Sequence, residues 1–414
     1  MFLIHDSRQY LRLTMSHSRD LPASPRPTSV PLFDISRQHA ALDEQIQSAL
    51  AAVCRSGKFV LGPECVELER DLAAYSGAKH GIACASGSDA LLLALMAYDV
   101  GPGAEVICPS YTFFATASAV TRLGATPVFV DIDADTCNLD VAQIESHITP
   151  RTKAIIPVHL YGQCVEMGPL VAIARKHGLA IIEDACQAIG AKYHGVPAGA
   201  LGDVGCFSFY PTKNLGAYGD GGLLTTNDDA IADKLRLLRG HGMQPRYYHR
   251  IVGINSRLDT MQAAVLKVKL PHLDAWTAAR QERADRYETW FRASGLDQQF
   301  RLPKVAADRR HVWNQYVVHV DGGRRDSLRE YLAARKVGTE IYYPVPLHKQ
   351  ECFQYLGYAD GSLPNTERAA VETLALPIFP ELTVAEQRAV VEEIAGYFGV
   401  QAVTDGPSEV RRAA

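Results

Sequence analysis

Length and composition place this chain among ordinary globular proteins. Its 414 residues are 47% hydrophobic and 21% charged, and 42 basic against 46 acidic residues give a net charge of −4. This balance argues against nucleic acid as a main partner, and no apolar run is long enough to predict a membrane span. A chain of this length predicts two domains, because one hydrophobic core rarely serves so many residues.

The two ends of the sequence lack the pattern of a folded element. Residues 1–29 carry Arg, Ser, His and Pro without periodicity, and they lack the apolar core of a signal peptide. We expect a disordered or non-native extension there, with Met15 as an alternative initiator. Residues 404–414 predict a disordered tail.

The cysteines and histidines predict no metal site. Nine cysteines occur without a Cys-x-x-Cys pair, and the 14 histidines show no metal-ligand spacing. Several cysteines lie in apolar runs, as buried free thiols do. We therefore expect reduced thiols and a cytoplasmic location.

Short apolar runs with β-branched residues dominate the middle of the chain. They predict strands at Glu105–Pro109, Thr126–Val130, Ala154–His159, Leu179–Glu183, Val204–Tyr210 and Gly222–Thr226. The earlier strands are separated by helical patterns at Ala115–Leu123 and Glu166–His177. This alternation predicts an α/β fold with a mostly parallel central sheet and helices on both faces. Ligands of such sheets bind beyond the carboxyl ends of the strands.

A smaller unit follows the large one. We place the large domain at residues 30–275 and a small C-terminal α+β domain at residues 276–403. In the small domain the pattern predicts strands at His311–Val320 and Gly338–Tyr343. It predicts helices at Arg325–Lys336 and Ala385–Phe398.

An acid and a lysine follow neighbouring predicted strands. Asp184 ends one apolar run, and Lys213 comes 29 residues later, just after another. Such a pair can hold the two poles of a pyridoxal 5′-phosphate (PLP) ring. The carboxylate keeps the ring nitrogen protonated, and the amine forms a Schiff base with the aldehyde. A surface salt bridge between two loops is the alternative for an isolated pair.

Small residues open a predicted helix at Ala85–Ala90. Free backbone N–H groups at a helix start bind anions such as phosphate, although Ser-Gly-Ser-Asp is also an ordinary N-cap. The hydroxyls of Ser88 and Ser208 offer further hydrogen bonds to a phosphate. Phe113 or Phe114 offers an aromatic face to a flat ring, with plain core packing as the alternative.

Six motifs in a fixed order resemble the DegT/DnrJ/EryC1/StrS family, sugar aminotransferases of the fold type I PLP class. They are Ser-Gly-Ser-Asp-Ala, Pro-Ser-Tyr-Thr-Phe, Pro-Val-His-Leu-Tyr-Gly, Glu-Asp-Ala-Cys-Gln-Ala, Ser-Phe-Tyr-Pro-Thr-Lys-Asn and Gly-Ile-Asn-Ser-Arg-Leu-Asp. The resemblance runs from Val30 to Glu393. It implies a fold type I PLP-transferase, PLP as cofactor, and a homodimer with composite active sites.

The resemblance also implies roles for individual residues. Lys213 matches the Schiff-base lysine, which also acts as the general base, and Asp184 matches the partner of the ring nitrogen. Asn255 resembles an asparagine that reaches the phosphate in the neighbouring subunit. The other cofactor contacts implied are Gly87, Ser88, Phe113, Gln187 and Ser208.

Four residues are predicted to bind substrate. Arg257 suits a diphosphate or another anionic group. His159 is equally well a core histidine satisfied by backbone groups. Tyr343 and His348 lie in a loop that resembles the family's substrate loop, and a structural turn between domains is the alternative.

The resemblance implies transamination from L-glutamate to a nucleotide-linked keto sugar, for amino-sugar, polysaccharide or lipopolysaccharide biosynthesis. We expect amination at C3. A UDP-linked 3-keto-2-acetamido hexuronate is slightly favoured, since Arg257 and His348 offer partners for its extra carboxylate, and a dTDP-linked 3-keto-6-deoxyhexose is the alternative.

Three other functions are weighed. A sugar dehydratase of the family carries histidine where this chain has Lys213. A non-catalytic regulator is expected to have lost Lys213 or Asp184. An amino-acid aminotransferase of the same fold does not carry these motifs in this order.

Overall fold

A computed structural model describes residues 27–404 of the chain. Most of the predicted N-terminal extension and all of the predicted tail except Thr404 lie outside the described residues. In the described part the strands are β1 His80–Cys84, β2 Glu105–Pro109, β3 Thr126–Val130, β4 Thr152–Ile155, β5 Ala180–Asp184, β6 Lys192–Tyr193, β7 Val196–Pro197, β8 Val204–Ser208, β9 Gly222–Thr226, β10 Arg309–Arg310, β11 Tyr316–His319 and β12 Thr373–Leu376.

The helices alternate with the strands through the first half of the described chain. They are α1 Ile35–Ser56, α2 Pro63–Tyr75, α3 Gly87–Ala97, α4 Ala115–Arg122, α5 Met167–His177, α6 Asp229–Leu238, α7 Thr260–Lys269, α8 Leu273–Ala293, α9 Arg325–Ala334, α10 Pro364–Glu372 and α11 Val384–Phe398. Short 3₁₀ turns join several of them.

The large unit is built on a seven-stranded sheet with the order β1-β9-β8-β5-β4-β2-β3. The neighbours from β8 to β3 pair in parallel, whereas β9 is antiparallel to both β1 and β8. The predicted mostly parallel sheet is therefore confirmed, and the fold is that of a fold type I PLP-transferase. The carboxyl ends of β5 and β8 lie side by side at one edge of the sheet, which places the residues that follow them together.

Helix α3 fixes one wall of that edge. The Ser86 side chain caps it by accepting a hydrogen bond from the Asp89 N–H at 3.1 Å. The apolar run from Ala90 to Leu95 is buried against the sheet. Because this helix is apolar on nearly every side, its N-terminal turn is held in place by packing rather than by propensity alone.

The small unit packs α8, α9 and α11 against the two-stranded antiparallel sheet of β11 and β12. Tyr287 and Phe291 of α8 stack at 5.3 Å between ring centroids in its core. Val30 also joins this core, through a bridge to Val337. The boundary proposed after residue 275 falls inside α8, and the domain limits stay a prediction.

Two strand predictions in the small unit differ from the structure. His311–Val320 forms a strand only over Tyr316–His319, because Trp313 adopts a φ of 48° that an extended strand does not allow. The prediction of a strand at Gly338–Tyr343 is wrong, since only Glu340 forms a bridge there, to Ala375.

The backbone of the segment after Glu340 forms hydrogen bonds with tyrosine side chains. The Tyr342 carbonyl accepts a hydrogen bond from the Tyr111 hydroxyl at 2.7 Å and another from the Tyr161 hydroxyl. The Tyr343 N–H donates to the Tyr111 hydroxyl at 3.0 Å. The groups that would continue a ladder are therefore already engaged.

The cysteines of the described residues are all free, and six of the nine are buried. Cys54 and Cys352 are exposed instead. Among residues 27–404, no helix has the length and apolar character needed to cross a membrane.

Candidate active site

Asp184 lies at the carboxyl end of β5 and is almost fully buried. Its Oδ2 accepts a hydrogen bond from the Thr116 hydroxyl at 2.8 Å, and its Oδ1 accepts one from the Cys186 N–H at 3.3 Å. The carboxylate is thus fixed in one orientation and kept among polar partners. Thr116 was not among the predicted site residues, although it lies three residues after the Pro-Ser-Tyr-Thr-Phe motif, in the first turn of α4.

Glu183 points to the opposite face of the sheet, as the alternation of a strand requires. Its carboxylate is completely buried and accepts backbone hydrogen bonds from Gly199, Leu201 and Gly202 at 2.6–2.8 Å. The ring of His159 adds a fourth donor at 2.9 Å. Glu183 therefore holds the turn beneath β5 and does not face the candidate site.

His159 belongs to this buried network. The Val165 N–H donates to its Nδ1 at 3.2 Å, so Nε2 carries the proton that is donated to Glu183. The ring is 0% exposed and both of its nitrogens are engaged. This corrects the prediction that His159 binds substrate and agrees with its alternative as a core histidine.

Lys213 follows β8 in a tight turn, in which its N–H donates to the Tyr210 carbonyl at 2.8 Å. Its side chain is partly exposed, yet protein atoms surround the amine closely. This burial lowers the pKa of the Lys213 amine below its ordinary value, while the neighbouring Cys186 and Asp184 side chains oppose the shift. Asp184 therefore acts on the Lys213 amine through space, and their pairing across a cofactor stays a prediction.

The start of α3 packs against Ser208 at the carboxyl end of β8, the strand that Lys213 follows, and forms a candidate phosphate cradle. The first N–H groups of a helix have no partner within it, and here they begin at Gly87. A Cβ placed on Gly87 would lie 2.7 Å from the Ser208 Cβ and 2.9 Å from the Cys186 Sγ. Only glycine allows this approach, which brings Ser208 against the helix start. Ser88 is half-buried in the same turn.

An aromatic patch lies on the other side of the site. The Phe113 ring is 55% exposed and its centroid is 6.0 Å from that of Tyr343. Gln187 donates to the Tyr343 hydroxyl at 3.1 Å and accepts from the Tyr161 N–H at 2.7 Å. Phe114 turns away and packs against Phe353. Of the two phenylalanines, Phe113 is therefore the one that offers a free face.

His348 does not offer a free ring. It is buried, its Nδ1 is 2.7 Å from the Ser110 hydroxyl, and its Nε2 is 3.2 Å from Glu367. Burial lowers the pKa of His348 below its ordinary value. This corrects the prediction that His348 binds substrate, because its Nδ1 anchors the loop to Ser110 of the large unit and its Nε2 to Glu367 of α10.

Asn255 and Arg257 lie on a surface segment, and Asn255 is exposed. Ser256 between them accepts a hydrogen bond from the Ala85 N–H at 3.2 Å, which ties the segment to the residues before α3. Within residues 27–404 neither the Asn255 amide nor the Arg257 guanidinium has a side-chain hydrogen bond. Both polar groups are thus available to a ligand or to a second subunit.

The residues present fit a PLP molecule. The first turn of α3 at Gly87, which packs closely against Ser208 and Cys186, suits a phosphate, since backbone N–H groups and a helix N-terminus both favour negative charge. Asp184 is an oriented carboxylate for a ring nitrogen, Phe113 is a free aromatic face, and Lys213 is an amine with a lowered pKa beside both.

Comparison with known proteins agrees with this arrangement. A model of the DegT/DnrJ/EryC1/StrS aminotransferase family matches residues 40–395. The fold, the paired acid and lysine, and the cradle define a PLP-dependent aminotransferase. The chain belongs to the DegT/DnrJ/EryC1/StrS family, as the order of its motifs predicted.

Three curated relatives are similar over most of the chain. A pleiotropic regulatory protein of Geobacillus stearothermophilus is 52% identical over 370 residues, covering 89% of this chain and 99% of the relative. UDP-N-acetyl-3-dehydro-alpha-D-glucosamine 3-aminotransferase of Acidithiobacillus ferrooxidans is 46% identical, covering 86% and 94%. UDP-2-acetamido-2-deoxy-3-oxo-D-glucuronate aminotransferase of Pseudomonas aeruginosa is 44% identical, covering 86% and 97%.

Solved structures show the same fold. DesV of S. venezuelae, in complex with a ketimine intermediate, superimposes with a TM-score of 0.86 and 42% identity, covering 90% of this chain and 99% of that chain. NtdA from Bacillus subtilis, with bound cofactor PMP, gives a TM-score of 0.84 and 33% identity, covering 90% and 86%.

Proposed function

We propose that this enzyme moves the amino group of L-glutamate to C3 of a UDP-linked 3-keto-2-acetamido hexuronate. The observation that carries the proposal is the placement of Asp184, Lys213 and the cradle at Gly87 at one sheet edge. Two of the relatives named above are aminotransferases of UDP-linked 3-keto sugars, and one of those sugars is a glucuronate. The product is an amino sugar for polysaccharide or lipopolysaccharide biosynthesis in the cytoplasm.

Each of these side chains has a separate role in transamination. Bound PLP supplies an electron sink next to the carbon whose proton is moved. Lys213 would take the proton from the donor carbon and pass it to the cofactor carbon that will carry the amine, a role that a lowered pKa favours. Asp184, oriented by Thr116, holds a proton on the ring nitrogen.

The remaining contacts position the ring. The N–H groups at Gly87 and Ser88 and the Ser208 hydroxyl would bind the phosphate. Phe113 would cover one face of the ring, with Gln187 and Tyr343 at its edge. These contacts keep the reacting carbon close to the Lys213 amine, and such positioning supplies a large share of catalysis.

We also propose a homodimer in which Asn255 contributes to the partner's site. Its amide is exposed and free of side-chain partners within the described residues. The loop before it exposes Tyr247, Tyr248 and Val252 by 70–90%, a degree of apolar exposure that a second copy of the chain would cover. Arg257 in the same segment would meet the diphosphate of the substrate.

Rates with a panel of acceptors test the proposed substrate. The kcat/KM is measured with L-glutamate and four acceptors: the UDP hexuronate, the corresponding UDP sugar with a C6 hydroxyl, a dTDP-linked 3-keto-6-deoxyhexose, and pyruvate. We expect the kcat/KM for the hexuronate to exceed that for each other acceptor by tenfold or more, which corresponds to about 1.4 kcal/mol in transition-state binding. A tenfold preference for the dTDP sugar contradicts the proposal, and no turnover with any acceptor would favour a regulator.

A further inference from the structure

A small, partly open cavity lies next to the Lys213 turn. It encloses about 30 Å³ accessible to water, the space of roughly two water molecules. Thr212, which precedes Lys213, and Tyr342, which precedes Tyr343, both line it. Two residues that line the cavity are therefore adjacent in sequence to residues of the candidate site.

Arg280 of α8 points its charge into this cavity. Its side chain is 7% exposed, and its Nη1 donates to the carbonyls of Trp313 and Ile378 at 3.0 and 2.9 Å. Its Nε is buried without any hydrogen-bond partner. Nε and Nη2 form the planar edge with which arginine binds a carboxylate through two parallel hydrogen bonds.

No carboxylate of the described residues occupies that edge. The charge of Glu381 reaches Arg280 through space, but neither a hydrogen bond nor an ion pair joins the two within residues 27–404. A buried guanidinium without a negatively charged partner is costly, so this arrangement points to a ligand that brings the negative charge.

Two further side-chain oxygens of residues that line the cavity are also unsatisfied. Asn314 Oδ1 and Gln315 Oε1 are buried without hydrogen bonds. The Gln315 amide can present its NH₂ group in place of its oxygen, which would add a donor for a carboxylate. Asn314 donates through its Nδ2 to Asn214, the residue after Lys213, at 2.8 Å. The cavity wall and the Lys213 turn are thus directly connected.

We propose that this cavity binds a carboxylate group of a substrate, with the Nε and Nη2 edge of Arg280 as its two-point partner. The two oxygens of a carboxylate match a space of about two waters. Two water molecules alone would satisfy the hydrogen bonds but leave the guanidinium charge unpaired. This inference rests on the proposed function, which offers two sources of the group, L-glutamate and the hexuronate.

Calorimetry with glutarate, a plain dicarboxylate, tests the site on the PLP-loaded enzyme. Gln315→Glu places a carboxylate of nearly the same shape in the cavity, where it would pair with Arg280 in place of the ligand. We expect glutarate to bind the natural enzyme and to bind Gln315→Glu at least tenfold more weakly, with no fall in Tm. The exposed Gln298→Glu is the matched control and should bind normally.

Two results overturn the carboxylate site. The first is that the natural enzyme binds no glutarate when glutarate is present at millimolar concentration and in tenfold excess. The second is that a stable Gln315→Glu variant binds glutarate as tightly as the natural enzyme does. Arg280→Lys gives an independent check, since it keeps the charge but loses the planar edge. We expect it to weaken glutarate binding by tenfold or more.

Separate half-reactions, followed by cofactor absorbance, identify the source of the carboxylate. If Gln315→Glu raises the apparent Kd for L-glutamate tenfold but leaves the keto-sugar half-reaction unchanged, the donor supplies it. The reverse pattern assigns it to the hexuronate, and no change in either half-reaction overturns the inference. If the natural enzyme binds glutarate but turns over neither substrate, the proposed function fails while the carboxylate site stands.

Discussion

Glu183 and Asp184 are neighbours in sequence but serve opposite faces of the central sheet. Asp184 meets Thr116 at the candidate site, whereas Glu183 meets four donors beneath β5. The sequence pointed to Asp184 only through its match to the family motif, because a strand boundary that shifts by one residue exchanges the faces of the two acids. The observed register shows independently that the two carboxylates face opposite sides.

We expect substitutions of these two acids to have opposite consequences. Glu183→Gln should lower the free energy of unfolding by about 3 kcal/mol, because the charge that four buried donors share is lost. Asp184→Asn should leave stability within about 1 kcal/mol but reduce turnover by about 10²-fold or more. Urea unfolding and steady-state rates measure the two effects, with the exposed Glu282→Gln as control. Equal stability losses in both variants would contradict this division.

Lys213→Ala should remove nearly all turnover. The amine is both the predicted attachment point of the cofactor and the proton carrier, so we expect a fall of about 10³-fold or more. The purified variant should also lose the visible absorbance of lysine-bound cofactor, while it can still hold PLP non-covalently. Lys234→Ala, at an exposed ion pair with Asp99, is the control. A fully active Lys213→Ala enzyme would end the proposed mechanism.

At the scale of elements, strands were easier to predict than loops. Glu105–Pro109, Thr126–Val130 and Gly222–Thr226 match the predicted limits residue for residue, since each is a short, mostly apolar run and the first and last are buried on both faces. The substrate loop was not predictable in the same way. His348 is held by Ser110, and the Tyr342 carbonyl by two tyrosine hydroxyls, contacts across more than 180 residues that no local pattern encodes.

The first turn of α3 gives a prediction for cofactor binding. Gly87→Ala would place a methyl group 2.7 Å from the Ser208 Cβ, so either the helix start or β8 must shift. Overpacking of about 1–3 kcal/mol predicts a PLP Kd raised by roughly tenfold or more. Equilibrium titration of the apoenzyme with PLP measures it. Gly101→Ala, whose new Cβ would meet nothing closer than 4.0 Å, should bind PLP normally.

At the scale of the whole molecule, buried histidines predict acid sensitivity. Burial lowers the pKa of His311 to about 3 and that of His319 to about 4, whereas both titrate at their ordinary value of 6.5 in the unfolded chain. Below pH 6.5 the unfolded chain therefore binds protons that the folded protein does not, and stability falls as pH falls.

Each of the two histidines should lower the free energy of unfolding by about 2 kcal/mol between pH 7 and pH 5. Urea unfolding at both pH values measures the loss, and His311→Asn should remove about half of it. The exposed His194→Asn should change nothing. An identical pH dependence in His311→Asn would show that other groups cause it.

Mixed subunits test the proposed composite dimer. Lys213→Ala and Asn255→Ala should each be nearly inactive alone, because each removes one component from every site. After joint refolding, half of the dimers should be mixed, and each mixed dimer regains one intact site, so about a quarter of the natural activity should return. Size-exclusion chromatography checks the assembly. An active monomer, or no recovery in verified mixed dimers, would contradict the proposal.

The turn held by Glu183 also bears on local unfolding of the protein. The N–H groups of Gly199, Leu201 and Gly202 lie outside the central sheet, yet their partner is a carboxylate with no exposed surface. Deuterium can replace these hydrogens only when β5 separates from the turn. The hydrogen-exchange rates of these three amides would therefore report how often the structure opens directly beneath Asp184. Bound cofactor should lower these rates, and Glu183→Gln should raise them.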